Sequence, residues 1–281
     1  MKKFILSLLV LVFSVVLANA SYAANSKNIK FVQISDVHFS ASSDYSAKVL
    51  KSAVKDINTL QGVSFVVFTG DNLNNPKPEN LKAFLKIVKK LNVPYYIAIG
   101  DHDVYKANGL SKVRYYEMIH ESNWFMFRHQ PNYKFKKNGF VFLIVDGAKE
   151  IIPGSVGYYR ENTLNWLDEE LSKNSKKDVI ILQHFPVVYP EDSEASAKTH
   201  KTYKVEDYLS VLDKHTNVLA VLSGHFHVNG ETMTNGVYHI STPALSVLPQ
   251  SYKVIDIVTT KEFSPIIYTQ LREFEVKDEA F

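Results

Sequence analysis

Residues 29–38 read Ile-Lys-Phe-Val-Gln-Ile-Ser-Asp-Val-His, an apolar, β-branched and aromatic run that stops at an acid and a histidine. Runs of this kind, apolar without strict alternation, suit strands covered on both faces. The same shape recurs along the chain. Val63–Thr69 stops at Gly70-Asp71-Asn72, and Val93–Ile99 stops at Gly100-Asp101-His102-Asp103. Asp178–Gln183 runs into His184-Phe185-Pro186, and Val218–Ser223 into Gly224-His225-Phe226-His227. Amphipathic helices fill the gaps: one gathers Val49, Leu50, Ala53, Val54, Ile57 and Leu60 on a face, the next Leu81, Phe84, Leu85, Val88 and Leu91. Further helices are predicted near Leu110–His120, over Glu161–Leu171 and over Val205–Lys214. A β-hairpin is predicted at Tyr133–Lys137 and Phe140–Val145, with closing strands at Val237–Ser241, Tyr252–Val258 and Pro265–Leu271. With no repeat and no linker, this order predicts an α/β fold: one domain over residues 24–281, with two mixed sheets and outer helices.

Composition narrows the function. The 281 residues are 46% hydrophobic and 22% charged, which rules out disorder, collagen and coiled coil. Zero cysteines remove zinc fingers, iron–sulfur clusters, thiol nucleophiles and disulfides. A formal charge of +3 with four arginines argues against a nucleic-acid partner or an anionic membrane surface. At the N-terminus, Lys2 and Lys3 precede an apolar run from Phe4 to Leu17, followed by Ala18-Asn19-Ala20 and Ser21-Tyr22-Ala23. That is the order of a secretory signal peptide, and the run is shorter than the ~20 residues a membrane span needs. Residues 1–23 are therefore expected to be removed after Ala23 or Ala20, leaving an exported (periplasmic or secreted) chain with no membrane span and a formal charge of +1.

The chemistry falls at strand ends, where ligand sites form in open α/β sheets. Topology alone thus brings five of the ten histidines and at least three aspartates to one edge. An Asp-x-His pair or a lone strand-end histidine is by itself a weak signal, more often structural than ligating. The combined series is not weak. Carboxylate and imidazole donors without thiolate suit Mn, Fe, Zn, Ni or Co. The ligands are too many for one tetrahedral ion, and one shared carboxylate would let them hold two.

In this order the motifs resemble the calcineurin-like metallophosphoesterase family, whose series is Asp-x-His, Gly-Asp, Gly-Asn-His-Glu/Asp, His and Gly-His-x-His. The match runs from Asp36 to His227. The resemblance implies a four-layer α/β/β/α sandwich with a dinuclear centre of divalent or mixed-valence ions on one edge. It implies that Asp36, His38, Asp71 and His227 hold one ion, and that Asp71, Asp101, His184 and His225 hold the other, Asp71 bridging. His102 would assist the leaving group without binding metal. Asp103 is a candidate to orient His102, or else to cap the following turn. One residue departs from the pattern: Asp101 stands where the family has Asn, which adds a negative charge and removes an amide donor.

Two cations about 3.5–4 Å apart can clamp a phosphoryl group and acidify a water for in-line attack. The expected partner is a small phosphoester, and the third carboxylate predicts a diester. Alternatives are a phosphomonoesterase or nucleotide pyrophosphatase of the same fold, and a non-catalytic metal-binding protein. Tyr105, Tyr115, Tyr116, Trp124, Phe125, Phe127 and Arg128 could wall the substrate or pack beneath a long loop, and Arg160 could meet phosphate. The polar segment 187–204 reads as a loop, and His120, His129, His215 and His239 as structural or surface residues. The number of subunits is not legible.

Overall fold

The computed structural model describes residues 27–122, 130–193, 198–259 and 265–278. The N-terminal apolar run, Trp124, Phe125, Phe127, Arg128 and His129 lie outside these residues. Strand β1 (Asn28–Ile34) is followed by α1 (Asp44–Ile57), β2 (Val63–Thr69), α2 (Pro78–Val88) and β3 (Tyr95–Ala98). Then come α3 (Lys112–Ser122), β4 (Tyr133–Lys137), β5 (Phe140–Val145), α4 (Glu161–Lys173), β6 (Val179–Gln183), α5 (Val205–Leu212) and β7 (Val218–Ser223). Strands β8 (Gly230–Thr234), β9 (Val237–Ser241), β10 (Ser251–Val258) and β11 (Ile266–Glu273) close the chain.

The strands form two mixed sheets, in the order β11-β10-β1-β2-β3 and β4-β5-β6-β7-β9-β8. In the first, β1, β2 and β3 run parallel and β10 pairs antiparallel with β1. In the second, β5, β6, β7 and β9 are parallel, and β4 and β8 are antiparallel edges. The period of two along each strand decides what faces what. Phe31 and Phe65 of the first sheet stack at 4.8 Å, and Phe142 of the second lies 5.6 and 5.0 Å from them. Phe135 joins from β4 at 5.2 Å from Phe65, so an aromatic layer fills the space between the sheets. Gln33, on the same face as Phe31, donates across the gap to the Ser223 carbonyl and so fastens β1 to β7 near their carboxyl ends.

Helix sequences carry their own start signals. Ser43 caps α1 by accepting from the Ser46 N–H, Asp44 sits in the first turn, and Val49, Leu50, Ala53, Val54 and Ile57 are buried. Pro78 opens α2, where its missing N–H costs nothing. Strand β3 is shorter than the run at 93–99 predicts, because Pro94 has no N–H for a ladder and offers only its carbonyl, to Val66. Strand β8 is not legible as a strand: Gly-Glu-Thr-Met-Thr is short and polar, and it is held as an edge by its pairing with β9.

Candidate metal centre

Five of the parallel strands end at chemistry-bearing loops. Asp36 and His38 follow β1, Asp71 follows β2, Asp101 and His102 follow β3, His184 follows β6, and His225 and His227 follow β7. These loops are hydrogen-bonded to one another. The Asp36, His38 and Phe39 N–H groups donate to the carbonyls of Gly70, Asp71 and Asn72, laying the first loop along the second. Gly224 donates to the His184 carbonyl, and the His225 N–H donates to Asp36 Oδ2 at 3.0 Å. Asp36, His38, Asp71, His225 and His227 all have positive φ, five of the eight non-glycine residues in that region among those described. Backbone strain of this kind, about 1–2 kcal/mol per residue, is concentrated at these side chains.

The seven side chains form two adjoining groups. Asp71, Asp101, His184 and His225 bring their donor atoms together in a fully buried set; Asp36, His38 and His227 form the second, nearer solvent. Asp71 connects them, with Oδ1 3.4 Å from His184 Nε2 and Oδ2 3.8 Å from His38 Nε2. Within the buried set, Asp101 Oδ1 lies 3.3 Å from His184 Nε2 and 3.4 Å from His225 Nδ1. In the outer set, Asp36 Oδ1 lies 3.3 Å from His227 Nε2, which is 3.3 Å from His38 Nε2.

These spacings fit metal ligation. Ligand atoms about 2.1 Å from a common ion stand roughly 3.0–3.4 Å apart in octahedral or tetrahedral geometry. Asp36 Oδ1 and Asp101 Oδ1 are buried without a hydrogen-bond partner, a cost that an ion would remove. The charges agree. Burial pushes the Asp36 and Asp101 carboxyls up, yet the surrounding imidazoles hold both well below the usual carboxylate range. Burial would depress His184, but Asp71 and Asp101 raise it well above an ordinary imidazole. The buried carboxylates thus favour positive charge at this point, and a bound cation would take the place of the protons on the imidazoles.

The second nitrogen of each of three rings is fixed from outside. His184 Nδ1 meets the Thr69 carbonyl at 2.9 Å, and His225 Nε2 meets the His200 carbonyl at 3.0 Å. Such contacts set the tautomer that leaves the other nitrogen free to ligate. His200, left in a polar loop by the sequence pattern, is thereby brought to the site. His102 Nδ1 meets the Asn74 carbonyl at 3.1 Å, which turns Nε2 toward Asp101 Oδ2 at 3.8 Å.

Asp103 does not orient His102. Its fully buried carboxylate accepts from the Gly100 N–H at 2.8 Å, the Leu73 N–H at 2.9 Å and Asn72 Nδ2 at 3.0 Å, pinning the loop after β3 to the loop after β2. Its bond to the Gly100 N–H closes the turn that precedes it, whereas the sequence alone places its cap on the turn that follows. Tyr115 and Tyr116 are core residues rather than a substrate wall: Tyr115 Oη accepts from Asn72, and Tyr116 Oη donates to the Ile97 carbonyl. Arg160 donates to the Ala148 carbonyl and lies over the Tyr158 ring at 5.7 Å. His215 meets Asp168, and His239 is buried, its imidazole pushed down to about 4 by desolvation. Both are apart from the cluster.

The calcineurin-like phosphoesterase family model matches residues 29–229, which contain every motif. A probable glycerophosphodiester phosphodiesterase of Arcobacter nitrofigilis is 28% identical over 221 residues, 73% of this chain and 74% of that one. A 3′,5′-cyclic adenosine monophosphate phosphodiesterase of Haemophilus influenzae is 24% identical over 241 residues, 80% of each chain. Among solved structures, a dimetal phosphatase from Danio rerio superposes with a TM-score of 0.62 at 18% identity, covering 86% of this chain and 98% of that one, and so shares the fold. The chain belongs to the calcineurin-like phosphoesterase family.

Proposed function

We propose that this chain is an exported phosphodiesterase that cleaves small phosphodiesters at a dinuclear metal centre. Family membership makes it a metal-dependent phosphoric ester hydrolase. The observation that carries the reading is the pair of ligand groups joined through the two oxygens of Asp71. Asp36, His38, Asp71 and His227 would hold one ion, and Asp71, Asp101, His184 and His225 the other. Bound there, two divalent ions supply Lewis acidity toward the phosphoryl group and a water nucleophile at neutral pH. His102 is set to protonate the departing oxygen. Burial works against its charge, but Asp71, the Asn74 carbonyl and Asp101 raise it above the ordinary imidazole value.

Diester preference follows from charge. Asp101 adds a third carboxylate to Asp36 and Asp71, which lowers the attraction for a dianionic monoester more than for a monoanionic diester. Two relatives are named as phosphodiesterases, one for glycerophosphodiesters and one for a cyclic nucleotide, which supports the same reading. Export rests on Lys2-Lys3, the apolar run and the two small-x-small sites. Among the described residues no helix is long and apolar enough to cross a membrane.

The test is the chain from Ala24 onward, reconstituted with Mn and assayed on bis-p-nitrophenyl phosphate, p-nitrophenyl phosphate, nucleotides and lysophospholipids. Two ions per chain with faster diester turnover is expected. Two ions and no turnover of any ester would instead mark a binding protein. Asp101→Asn should raise monoester turnover relative to diester; an unchanged ratio removes the charge argument. N-terminal sequencing of the exported full chain should begin at Ala24 or Ser21.

A further inference from the structure

The geometry points to an anion subsite beside the buried ligand group, built by Lys198 and Lys201 on the segment 198–204 and suited to a phosphate or carboxylate remote from the scissile phosphodiester. The segment reads Lys-Thr-His-Lys-Thr-Tyr-Lys, with no acid. It lies directly against the centre: the His200 carbonyl meets His225 Nε2 at 3.0 Å, and the two rings are 5.7 Å apart. Its backbone is fastened just beyond that contact. Thr202 is buried, donating its N–H to the Tyr189 hydroxyl oxygen and its own hydroxyl to the Pro186 carbonyl. The Tyr203 N–H donates to the Gly157 carbonyl at 2.8 Å. The backbone of residues 200–203 is thus held beside the site.

The charges on this strap are unused. Lys198 and Lys201 flank His200, are exposed, and make no ion pair among the described residues, whereas Lys112, Lys134, Lys173 and Lys253 elsewhere are paired with acids. Tyr203 and Tyr158 pack edge-on at 5.6 Å next to them, with Lys204 over the Tyr203 ring, so the rim on this side is cationic and aromatic. The acids Glu206 and Asp207 that follow belong to the first turn of α5. The rim on the Asp36 side is of a different kind. Ser246 bonds the Asp36 carbonyl, and the next two residues, Val247 and Leu248, are exposed and apolar. An extended diester would therefore meet two ammonium groups at its His225 end and exposed apolar side chains at its Asp36 end. Two ammonium groups in partial solvent attract a remote dianion by an amount that salt screens.

The proposal rests on the phosphodiesterase reading and names the class of diester that the site selects. It is tested with the p-nitrophenyl ester of thymidine 5′-phosphate, with and without a 3′-phosphate, on the wild type and on the Lys198→Gln, Lys201→Gln double variant loaded with Mn. The remote phosphate should lower KM roughly 5–20-fold in the wild type at low salt with kcat unchanged, and by less at 0.3 M salt. In the double variant the two esters should give the same KM, with bis-p-nitrophenyl phosphate turned over as in the wild type. Equal KM values in the wild type, or a gap that survives in the variant, overturn the subsite. If neither ester is cleaved, the phosphodiesterase reading fails on its own account. The subsite is then judged by calorimetry, where thymidine 3′,5′-bisphosphate must bind the wild type several-fold tighter than thymidine 5′-phosphate does and lose that advantage in the variant; equal affinities overturn it.

Discussion

His102 and Asp103 are neighbours in sequence with opposite surroundings. The His102 ring is exposed, pinned at Nδ1 by Asn74 and aimed at the ligand cluster through Nε2. His102→Ala is expected to leave two ions bound and to lower kcat by roughly 10²–10⁴-fold, the range for a lost general acid. The loss should be smallest for p-nitrophenyl esters, whose leaving group needs little protonation. A loss that does not vary with the leaving group would mean that His102 positions phosphate instead. Asp103 is fully buried and saturated by three donors. Asp103→Ala leaves the Gly100 and Leu73 N–H groups unpaired away from water, at about 1–3 kcal/mol each before relaxation, while Asn72 Nδ2 keeps the Ala98 carbonyl and Tyr115 Oη. A fall in melting temperature of roughly 6–12 °C is expected for a domain of this size. Lost turnover at an unchanged melting temperature would return Asp103 to an orienting role. The sequence could not separate these roles, because the partners Leu73 and Asn72 lie some thirty positions away.

At the scale of elements, the strand-end loops were legible because each apolar run is bounded by a glycine or an acid, and their ends coincide with β2, β6, β7 and β9. What the pattern hides is how closely the loops pass. A Cβ on Gly224 would sit 1.7 Å from Ser35 Oγ and 2.4 Å from Asp36 Oδ2; one on Gly100 would sit 2.1 Å from Asp71 Oδ1. These glycines are present because the backbone of one loop touches the ligand of another. Gly224→Ala should therefore displace Asp36, which also holds the His225 N–H, and reduce the bound metal below two ions per chain while the far-ultraviolet spectrum stays native. Gly62→Ala is the control: φ is +74° but nothing lies within 4 Å, so it should cost about 1–2 kcal/mol of stability and leave the metal content alone. If both variants keep two ions, the loop after β7 is more pliable than its contacts imply. Strand β8 escaped the sequence for the opposite reason: its five residues have no apolar run to bound, and only the partner strand makes them extended.

Across the whole molecule, the C-terminal strands β10 and β11 complete the sheet whose β1 carries Asp36 and His38, so their attachment supports the site from its far end. A polar clamp makes that attachment to α1. Asp56 takes Arg272 Nε and Nη2, each at 2.7 Å, and the Tyr252 hydroxyl at 2.5 Å, while Lys277 N–H bonds Ser52 Oγ one turn earlier. Burial pushes the Asp56 carboxyl up, but Arg272 and Tyr252 together hold it below the ordinary carboxylate value. A carboxyl that is more acidic in the folded chain than in the unfolded one stabilises the fold above the unfolded value, near pH 4, and loses that contribution as pH falls through the folded value. The bidentate geometry favours the pair; partial exposure screens it, so Asp56→Asn should cost only about 1 kcal/mol at pH 7. Urea midpoints of the wild type and the variant should differ at pH 7 and draw together as pH falls below the ordinary carboxylate value and through the lower folded one, where Asp56 becomes neutral. A gap of the same size at pH 2.5 and pH 7 would mean that the clamp acts through shape and hydrogen bonding, with no part played by the charge on Asp56.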